Sequence, residues 1–199
     1  MKFVSIDIET TGLNPDIDQI LEFGCVAVEN WQIIDSFRRT IWHERIEGNA
    51  FELAMNKDLL YEIANCKQNE LNKGEIITIN QLTYDFFDWV KEIKFIPALI
   101  EKNKLNCAGK NFGAFDLQFL KKVEMWNNYF SISSKILDPA ILYFDSNVDE
   151  VLPSLEECKK RSGLFFDNTV KHRADADAKD VADLLIHKLK PNLNNEKYK

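Results

Sequence analysis

Two carboxylates near the N-terminus are the first residues in the chain with a chemical role to consider. Asp7 and Glu9 alternate with Ile6 and Ile8 in residues 4–9, and successive side chains of a strand point to opposite faces. The β-branched residues favour a central strand. The alternation places both acids on one face, about 6.5–7 Å apart at Cα. A divalent cation would relieve the repulsion between two half-buried carboxylates. The stretch alone fits a water-exposed acidic pair equally well.

A third acid lies within the apolar face of a helix predicted over residues 173–188. The residues of this face, at about 100° per residue, are Ala174, Asp177, Ala178, Val181, Leu184 and Leu185. An acid in the middle of such a stripe requires a partner in the interior. Two interpretations remain open: an ion pair with a buried Lys or Arg, or a metal ion shared with Asp7 and Glu9. His172 lies five residues before Asp177, so its imidazole can reach the same site.

Two further acids are ambiguous by themselves. Asp116 falls in the first turn of a helix predicted over residues 114–124, where an acid complements the helix dipole without any catalytic role. Glu22 lies within a predicted strand, and it either faces the acidic site or serves the structure.

The order of these residues resembles the DEDDh-type 3′–5′ exonucleases of the ribonuclease H-like fold. Residues 7–13 (DIETTGL) resemble the first motif of that family, DxExTGL. Asn111 with Phe115 and Asp116 resembles the second, and residues 172–178 (HRADADA) match the HxAxxDA form of the third. Lys110 stands where the second motif often has His, and one additional residue separates Asn111 from Asp116. The three motifs occur in the order that the family shows.

The resemblance implies a metal-dependent active site. Two Mg²⁺ or Mn²⁺ ions would be held by Asp7, Glu9, Asp116 and Asp177, and His172 would act as the general base. Hard divalent ions prefer carboxylate oxygens, and two of them can stabilise the attacking and leaving oxygens of a displacement at phosphorus. An imidazole exchanges protons near neutral pH, as such a base must.

The resemblance also implies the substrate and its contacts. Thr11, Gly12, Leu13 and Asn111 would bind substrate, with Glu9 and the backbone after it meeting the terminal 3′-OH and Leu13 wedging against the last base. The partner would be the 3′ end of single-stranded DNA or RNA, and the products would be nucleoside 5′-monophosphates. DNA and RNA are not separable from the sequence because recognition of a 2′-OH is local. The alternatives are an oligoribonuclease acting on very short RNA and a non-catalytic nucleic-acid-binding module of the same fold.

The elements that must position these residues form an α/β pattern, and the resemblance implies a ribonuclease H-like mixed five-stranded sheet flanked by helices. After the first strand, residues 19–29 and 32–42 predict an antiparallel hairpin with a short turn. Short strands are expected over 105–108 and 136–137. The predicted helices cover residues 50–60, 82–96 before Pro97, 114–124, 153–163 and 173–188. The remainder of residues 43–80 has no clear assignment.

Length and composition suit one domain. We expect a single exonuclease domain over residues 1–190 and a polar C-terminal tail over 191–199. No apolar run approaches the roughly 20 residues that span a bilayer, and residues 1–9 lack the pattern of a signal peptide. The four cysteines are widely spaced, which argues against a zinc site and predicts reduced thiols in the cytoplasm.

The charge of the chain limits how it can contact nucleic acid. A net charge of −7 without a long basic tract argues against a protein that grips extended nucleic acid through many phosphates. Carboxylates that hold metal contribute to this charge, and a short substrate end needs few phosphate contacts. The charge therefore remains compatible with a nuclease that acts on strand ends.

Overall fold

The computed structural model describes residues 1–95, 103–166 and 172–191, and it shows a mixed α/β fold. The strands are β1 (Lys2–Thr10), β2 (Ile20–Glu29), β3 (Gln32–Trp42), β4 (Ile76–Thr78), β5 (Asn103–Leu105), β6 (Cys107–Ala108) and β7 (Phe130–Ile132). The helices are α1 (Ala50–Met55), α2 (Lys57–Asn65), α3 (Ile79–Glu92), α4 (Asp116–Leu120), α5 (Trp126–Tyr129), α6 (Pro139–Leu142), α7 (Leu155–Ser162) and α8 (Ala174–Leu189).

The main sheet has five strands in the order β4-β3-β2-β1-β6. β1, β2 and β3 are antiparallel neighbours, whereas β6 runs parallel to β1 and β4 parallel to β3. The first strand is therefore central, and the predicted mixed five-stranded sheet with flanking helices is confirmed. β5 and β7 form a separate parallel pair.

The two faces of β1 bury different partners. Val4, Ile6 and Ile8 belong to the larger core, in which the rings of Phe86 and Trp126 stack with centroids 5.5 Å apart. The opposite face lies under α8, whose apolar stripe packs with residues of β1 and β2 in a second core. Because Asp7 and Glu9 alternate with the isoleucines, they point toward α8.

Gly24 lets α8 begin directly on the sheet. It lies on β2 opposite Asp7, and a Cβ at this position would come within 2.1 Å of the Asp175 backbone nitrogen and 2.2 Å of the Ala174 carbonyl carbon. A side chain would displace the helix, since both atoms belong to backbone. The missing side chain therefore sets the distance between the strand acids and the acids of α8.

Polar residues interrupt two elements that the sequence predicts as continuous. The helix expected over residues 50–60 is two helices that meet at Asn56, whose side chain is buried and donates to the Thr10 carbonyl at 3.2 Å. The strand expected over 105–108 is divided at Asn106 into β5 and β6, which belong to different sheets. Both predictions were wrong because a long-range contact to β1 outweighs the local pattern: the Asn106 carbonyl accepts from the Val4 N–H at 2.9 Å.

The boundaries of other elements also differ from the prediction. α3 begins three residues earlier than expected and ends at Glu92, so the predicted extension to residue 96 was wrong; Pro97 lies outside the described residues. α4 ends at Leu120 rather than 124, because the next turn tightens to i→i−3 bonds such as Val123 N–H to Leu120 O at 3.1 Å. The strand predicted at 136–137 is a single bridge between Leu137 and Ala108.

The C-terminal half keeps two predicted helices. α7 is capped by the Ser154 hydroxyl, which accepts from the Glu157 N–H, and it ends at Gly163 with φ +68°. The elements β4, α5, α6 and β7 were not predicted.

Within residues 1–95, 103–166 and 172–191, no helix is both long and apolar enough to cross a membrane. Residues 192–199, most of the predicted tail, lie outside the described residues.

Candidate active site

The carboxylates of β1 and α8 converge. Asp7 and Glu9 point from β1 toward α8, and Asp177 lies in the first turn of that helix. One oxygen from each of the three carboxylates lies within 4.8 Å of the others. Among the residues that the structure describes, none forms an ion pair with Asp177. Asp177 therefore faces the strand acids, and the charge of the buried Lys159, which pairs with Asp180, also acts on it.

Burial raises the pKa values of all three acids, and repulsion within the cluster adds to the rise for Asp7 and Glu9. For Asp7 the pKa is well above its ordinary value, first because of burial and then because of the charges of Asp116 and Asp177. The pKa of Glu9 rises from 4.5 to about 8 through burial and the charges of Asp177 and Glu22. Burial is also the main reason that the pKa of Asp177 rises to about 6. A cation would offset the repulsion that these shifts reflect.

Asp116 reaches the same region from α4. It is 3 % exposed, and its Oδ1 accepts a hydrogen bond from the Ile8 N–H at 3.1 Å. Burial raises its pKa to about 7, although the Ile8 N–H partly offsets this rise. Asp116 lies outside the group of three within 4.8 Å, but its charge acts on Asp7. Asp116 is thus buried and hydrogen-bonded to β1. An acid that only complements the helix dipole would need neither feature.

His172 lies beside the acids, just before α8. Its charge lowers the pKa of Asp177, against the effect of burial, so the two side chains interact electrostatically. The residue has φ +55° and is half-buried. The structure therefore brings His172 and the three acids into one region.

Glu22 combines both of the roles that the sequence leaves open. Its charge raises the pKa of Asp7 and of Glu9, so it faces the acidic site. Its Oε2 accepts from the Ala174 N–H at 2.8 Å, and its Oε1 lies 2.6 Å from Arg173 Nη2. Both carboxylate oxygens are thus engaged by the residues that begin α8.

Asn56 is a site residue that the sequence analysis missed. Its amide donates to the Thr10 carbonyl, and a hydrogen bond from it partly offsets the rise in the pKa of Glu9. The only local signal is an asparagine, a weak helix former, within an otherwise helical pattern. Its burial depends on contact with β1, about 46 residues away in sequence, which no local pattern reports.

The residues expected to bind substrate fall into two kinds. Thr11 is fully buried, and its hydroxyl accepts from the Gln19 N–H at 2.9 Å; a Cβ at Gly12 would lie 2.4 Å from the Asp18 carboxylate. These two shape the turn after β1. Leu13, in contrast, is 72 % exposed, and Asn111 is also exposed. The side chains of Leu13 and Asn111 are therefore accessible to a ligand.

Comparison with known proteins places this geometry in a family. The sequence profile of the RNase_T family, described as exonuclease, matches residues 4–185. The chain belongs to the RNase_T exonuclease family. This membership confirms the resemblance to DEDDh-type 3′–5′ exonucleases that the three motifs carry.

Individual relatives of this chain are distant in sequence. The 3′-5′ exonuclease DinG of Staphylococcus aureus (strain USA300) is 26 % identical over 184 residues, which cover 92 % of this chain and 18 % of the relative. The chain thus spans less than a fifth of the length of that relative.

Solved structures share the fold. The nuclease domain of 3′hExo, a DEDDh family member bound to rAMP, has a TM-score of 0.65 at 18 % identity, covering 95 % of this chain and 92 % of that one. The zinc-bound E. coli ExoI–ssDNA complex has a TM-score of 0.58 at 16 % identity, covering 92 % and 40 %. The likeness in fold covers nearly the whole of this chain.

The donor set of the site fits divalent metal ions, which exonucleases of this type generally use. The clustered donors are all carboxylate oxygens, which hard divalent ions prefer. Asp7, Glu9 and Asp177 lie close enough to share an ion, and Asp116 adjoins Asp7. Without a cation the cluster carries unbalanced repulsion, which appears in the raised pKa values of Asp7 and Glu9.

Proposed function

We propose that this protein is a metal-dependent 3′–5′ exonuclease. It hydrolyses phosphodiester bonds at the 3′ end of single-stranded or short nucleic acid and releases nucleoside 5′-monophosphates. The observation that carries this proposal is the convergence of Asp7, Glu9 and Asp177 within 4.8 Å beside His172. Membership of the RNase_T exonuclease family supports the reaction class.

Four acids hold two Mg²⁺ or Mn²⁺ ions in this proposal: Asp7, Glu9, Asp116 and Asp177. The ions, when bound, supply Lewis-acid stabilisation of the attacking and leaving oxygens at phosphorus. Asp116 contributes the carboxylate oxygen that does not accept from Ile8. Asn56 holds Glu9 in orientation through its amide.

His172 removes a proton from the attacking water. The water oxygen then forms a bond to phosphorus while the bond from phosphorus to the 3′-oxygen breaks, and the departing oxygen takes a proton from solvent. A base in this role must lie within hydrogen-bond reach of the water. The position of His172 beside Asp177 supports the assignment.

The substrate end is recognised by a few contacts. Leu13 wedges against the last base with its exposed side chain, Asn111 contacts the strand, and Glu9 with the backbone after it meets the 3′-OH. Thr11 and Gly12 shape the turn that presents Leu13. The net charge of −7 supports a short contact with the end of the nucleic-acid strand over an extended contact with many phosphates.

A cytoplasmic location is part of the proposal, supported by four cysteines that form no disulfide.

A panel of labelled substrates tests the proposal. We would digest 5′-labelled single-stranded DNA, single-stranded RNA, duplex and dinucleotide with Mg²⁺ or Mn²⁺, and with chelator. We expect a ladder that shortens from the 3′ end, only with metal, and no ladder with the Asp7→Asn variant. Digestion of dinucleotides alone would favour the oligoribonuclease, and binding without digestion would favour the non-catalytic module.

A further inference from the structure

One buried carboxylate beside the site is not needed for metal binding. Glu22 lies on β2 directly opposite Glu9 of β1, and its side chain is 0 % exposed. A buried carboxylate is costly unless it is paired and hydrogen-bonded. Oε2 is engaged by the Ala174 N–H, and Oε1 lies 2.6 Å from Arg173 Nη2 and 3.8 Å from Arg38 Nε.

The two nearest partners of Glu22 follow His172 directly in sequence. The Ala174 N–H, the first of α8, donates to Oε2 at 2.8 Å. The Arg173 guanidinium lies 2.6 Å from Oε1. A carboxylate at the start of a helix also complements the helix dipole. Glu22 thus attaches the two residues after His172 to the sheet.

The same guanidinium is held from a second side. Arg173 Nη1 donates to Glu62 of α2 at 3.1 Å, and the other oxygen of Glu62 accepts from the Thr40 hydroxyl of β3 at 3.1 Å. The guanidinium therefore lies between two carboxylates from two elements, ion-paired with Glu22 and hydrogen-bonded to Glu62. This leaves little freedom at the peptide that joins Arg173 to His172.

The backbone at this point needs such support. His172 has φ +55°, in the left-handed region that costs free energy for a residue other than glycine. The Arg173 carbonyl accepts from the Asp177 N–H at 3.0 Å. The segment that Glu22 attaches therefore sets the direction of His172 and begins the turn that carries Asp177.

We propose that Glu22 is a positioning residue that holds His172 at the reacting centre through Arg173 and Ala174. The inference rests on the proposed exonuclease function, in which His172 is the base. A base displaced by about 1 Å can cost about 100-fold in rate. Glu22 therefore contributes to turnover without touching substrate or metal.

The first test substitutes Glu22 conservatively. Glu22→Gln keeps the volume and one acceptor but removes the charge that faces Arg173. We expect kcat to fall at least about tenfold, while KM and the affinity for Mn²⁺, measured by calorimetry, change less than about twofold. Glu29→Gln, the same change at the far end of β2, where the half-buried Glu29 pairs with Lys2, is the matched control and should keep wild-type kcat. A Glu22→Gln enzyme with wild-type kcat, or one that loses Mn²⁺ affinity in proportion to kcat, would overturn the proposal.

A double-mutant cycle separates positioning from general stability. If Glu22 acts through His172, Glu22→Gln should cause no further loss of kcat in a His172→Ala background. If it causes its full loss there, the proposal is wrong. A His172→Ala enzyme with wild-type turnover, or a wild-type protein without metal-dependent digestion, would instead contradict the proposed function.

A measurement on the metal-free protein does not depend on activity. The chain has three histidines, so ¹⁵N-histidine labelling resolves the His172 imidazole by NMR. Glu22→Gln should move the His172 resonances and Glu29→Gln should leave them in place; unmoved resonances in Glu22→Gln would overturn the proposal. If Glu22→Gln does not fold, Glu62→Gln takes its place, because it removes the outer partner of Arg173. Glu62→Gln should then move the His172 resonances, and unmoved resonances would overturn the proposal.

Discussion

At the scale of single residues, the site is a group of acids that the surrounding protein does not neutralise. Asp7, Glu9 and Asp177 lie within 4.8 Å of one another, and no described residue forms an ion pair with any of the three. Elsewhere the protein pairs its buried charges, as with Lys159 and Asp180 at 2.6 Å. The contrast indicates that the three acids are arranged for a ligand rather than for stability.

Asp177→Asn should abolish metal-dependent digestion. The amide keeps the shape but removes the charge that a cation requires. We expect the digestion rate to fall more than about 100-fold, because loss of a residue that only supports a metal ligand already costs up to about 100-fold. Asp183→Asn, on the exposed side of the same helix and paired with Lys179, is the control and should digest at the wild-type rate. Near-normal digestion by Asp177→Asn would contradict the metal assignment.

His172→Ala should lower turnover while leaving metal binding largely intact. Loss of a general base costs about 10²–10⁴-fold in rate, whereas the carboxylates that hold the ions remain. Single-turnover digestion measures the first effect, and Mn²⁺ titration by calorimetry measures the second. An equal loss of affinity and rate would identify His172 as a metal ligand instead.

At the scale of elements, the contact between β2 and α8 sets the geometry of the site. Gly24→Ala should displace the start of α8, because the new Cβ would meet backbone atoms at 2.1–2.2 Å. Overpacking of this kind costs about 1–3 kcal/mol, or about 2–12 °C in melting temperature, and we expect digestion to fall at least about tenfold. Gly74→Ala, with no atom within 4 Å of the new Cβ, is the control for both measurements. A fully active Gly24→Ala protein would show that the helix position is not critical.

Elements with a regular pattern could be predicted from the sequence. The alternation around Asp7 and Glu9 and the helical stripe around Asp177 place three of the acids correctly, since each pattern is decided by burial of one face. The hairpin of β2 and β3 is confirmed, with Asn30 and Trp31 at positive φ in its two-residue turn.

Residues whose role depends on distant partners could not be predicted. Asn56 ends α1 and supports Glu9 because it meets the backbone at Thr10, and Asn106 divides a strand because it pairs with β1. Neither contact leaves a periodic signal. Glu22 was visible as an acid within a strand, but only its contacts with Arg173 and Ala174 reveal what it holds.

At the scale of the whole molecule, the acid cluster makes the stability of the metal-free protein depend on pH. The pKa values of Glu9, Asp116 and Asp177 rise to about 8, 7 and 6, and that of Asp7 also rises. The folded state therefore binds more protons than the unfolded state between about pH 4 and 8, and the free energy of unfolding falls as pH increases through this window.

We expect the melting temperature of the metal-free protein to fall by about 10 °C between pH 5 and pH 8. Mn²⁺ should restore most of this loss at pH 8 and have little effect at pH 5, because it replaces the protons. Glu9→Gln should flatten the profile, since it removes a group whose pKa rises to about 8. Thermal melts in chelator and in Mn²⁺ measure both effects. A melting temperature that stays level or increases from pH 5 to pH 8 in chelator would contradict the assignment.

The two elements that carry the acids stand far apart in the chain, with Asp7 on β1 and Asp177 on α8. A polypeptide still emerging from the ribosome presents the strand acids long before α8 has been translated. Such a nascent chain holds only part of the cluster. Synthesis from the N-terminus thus delays completion of the acid cluster until α8 has docked on the sheet.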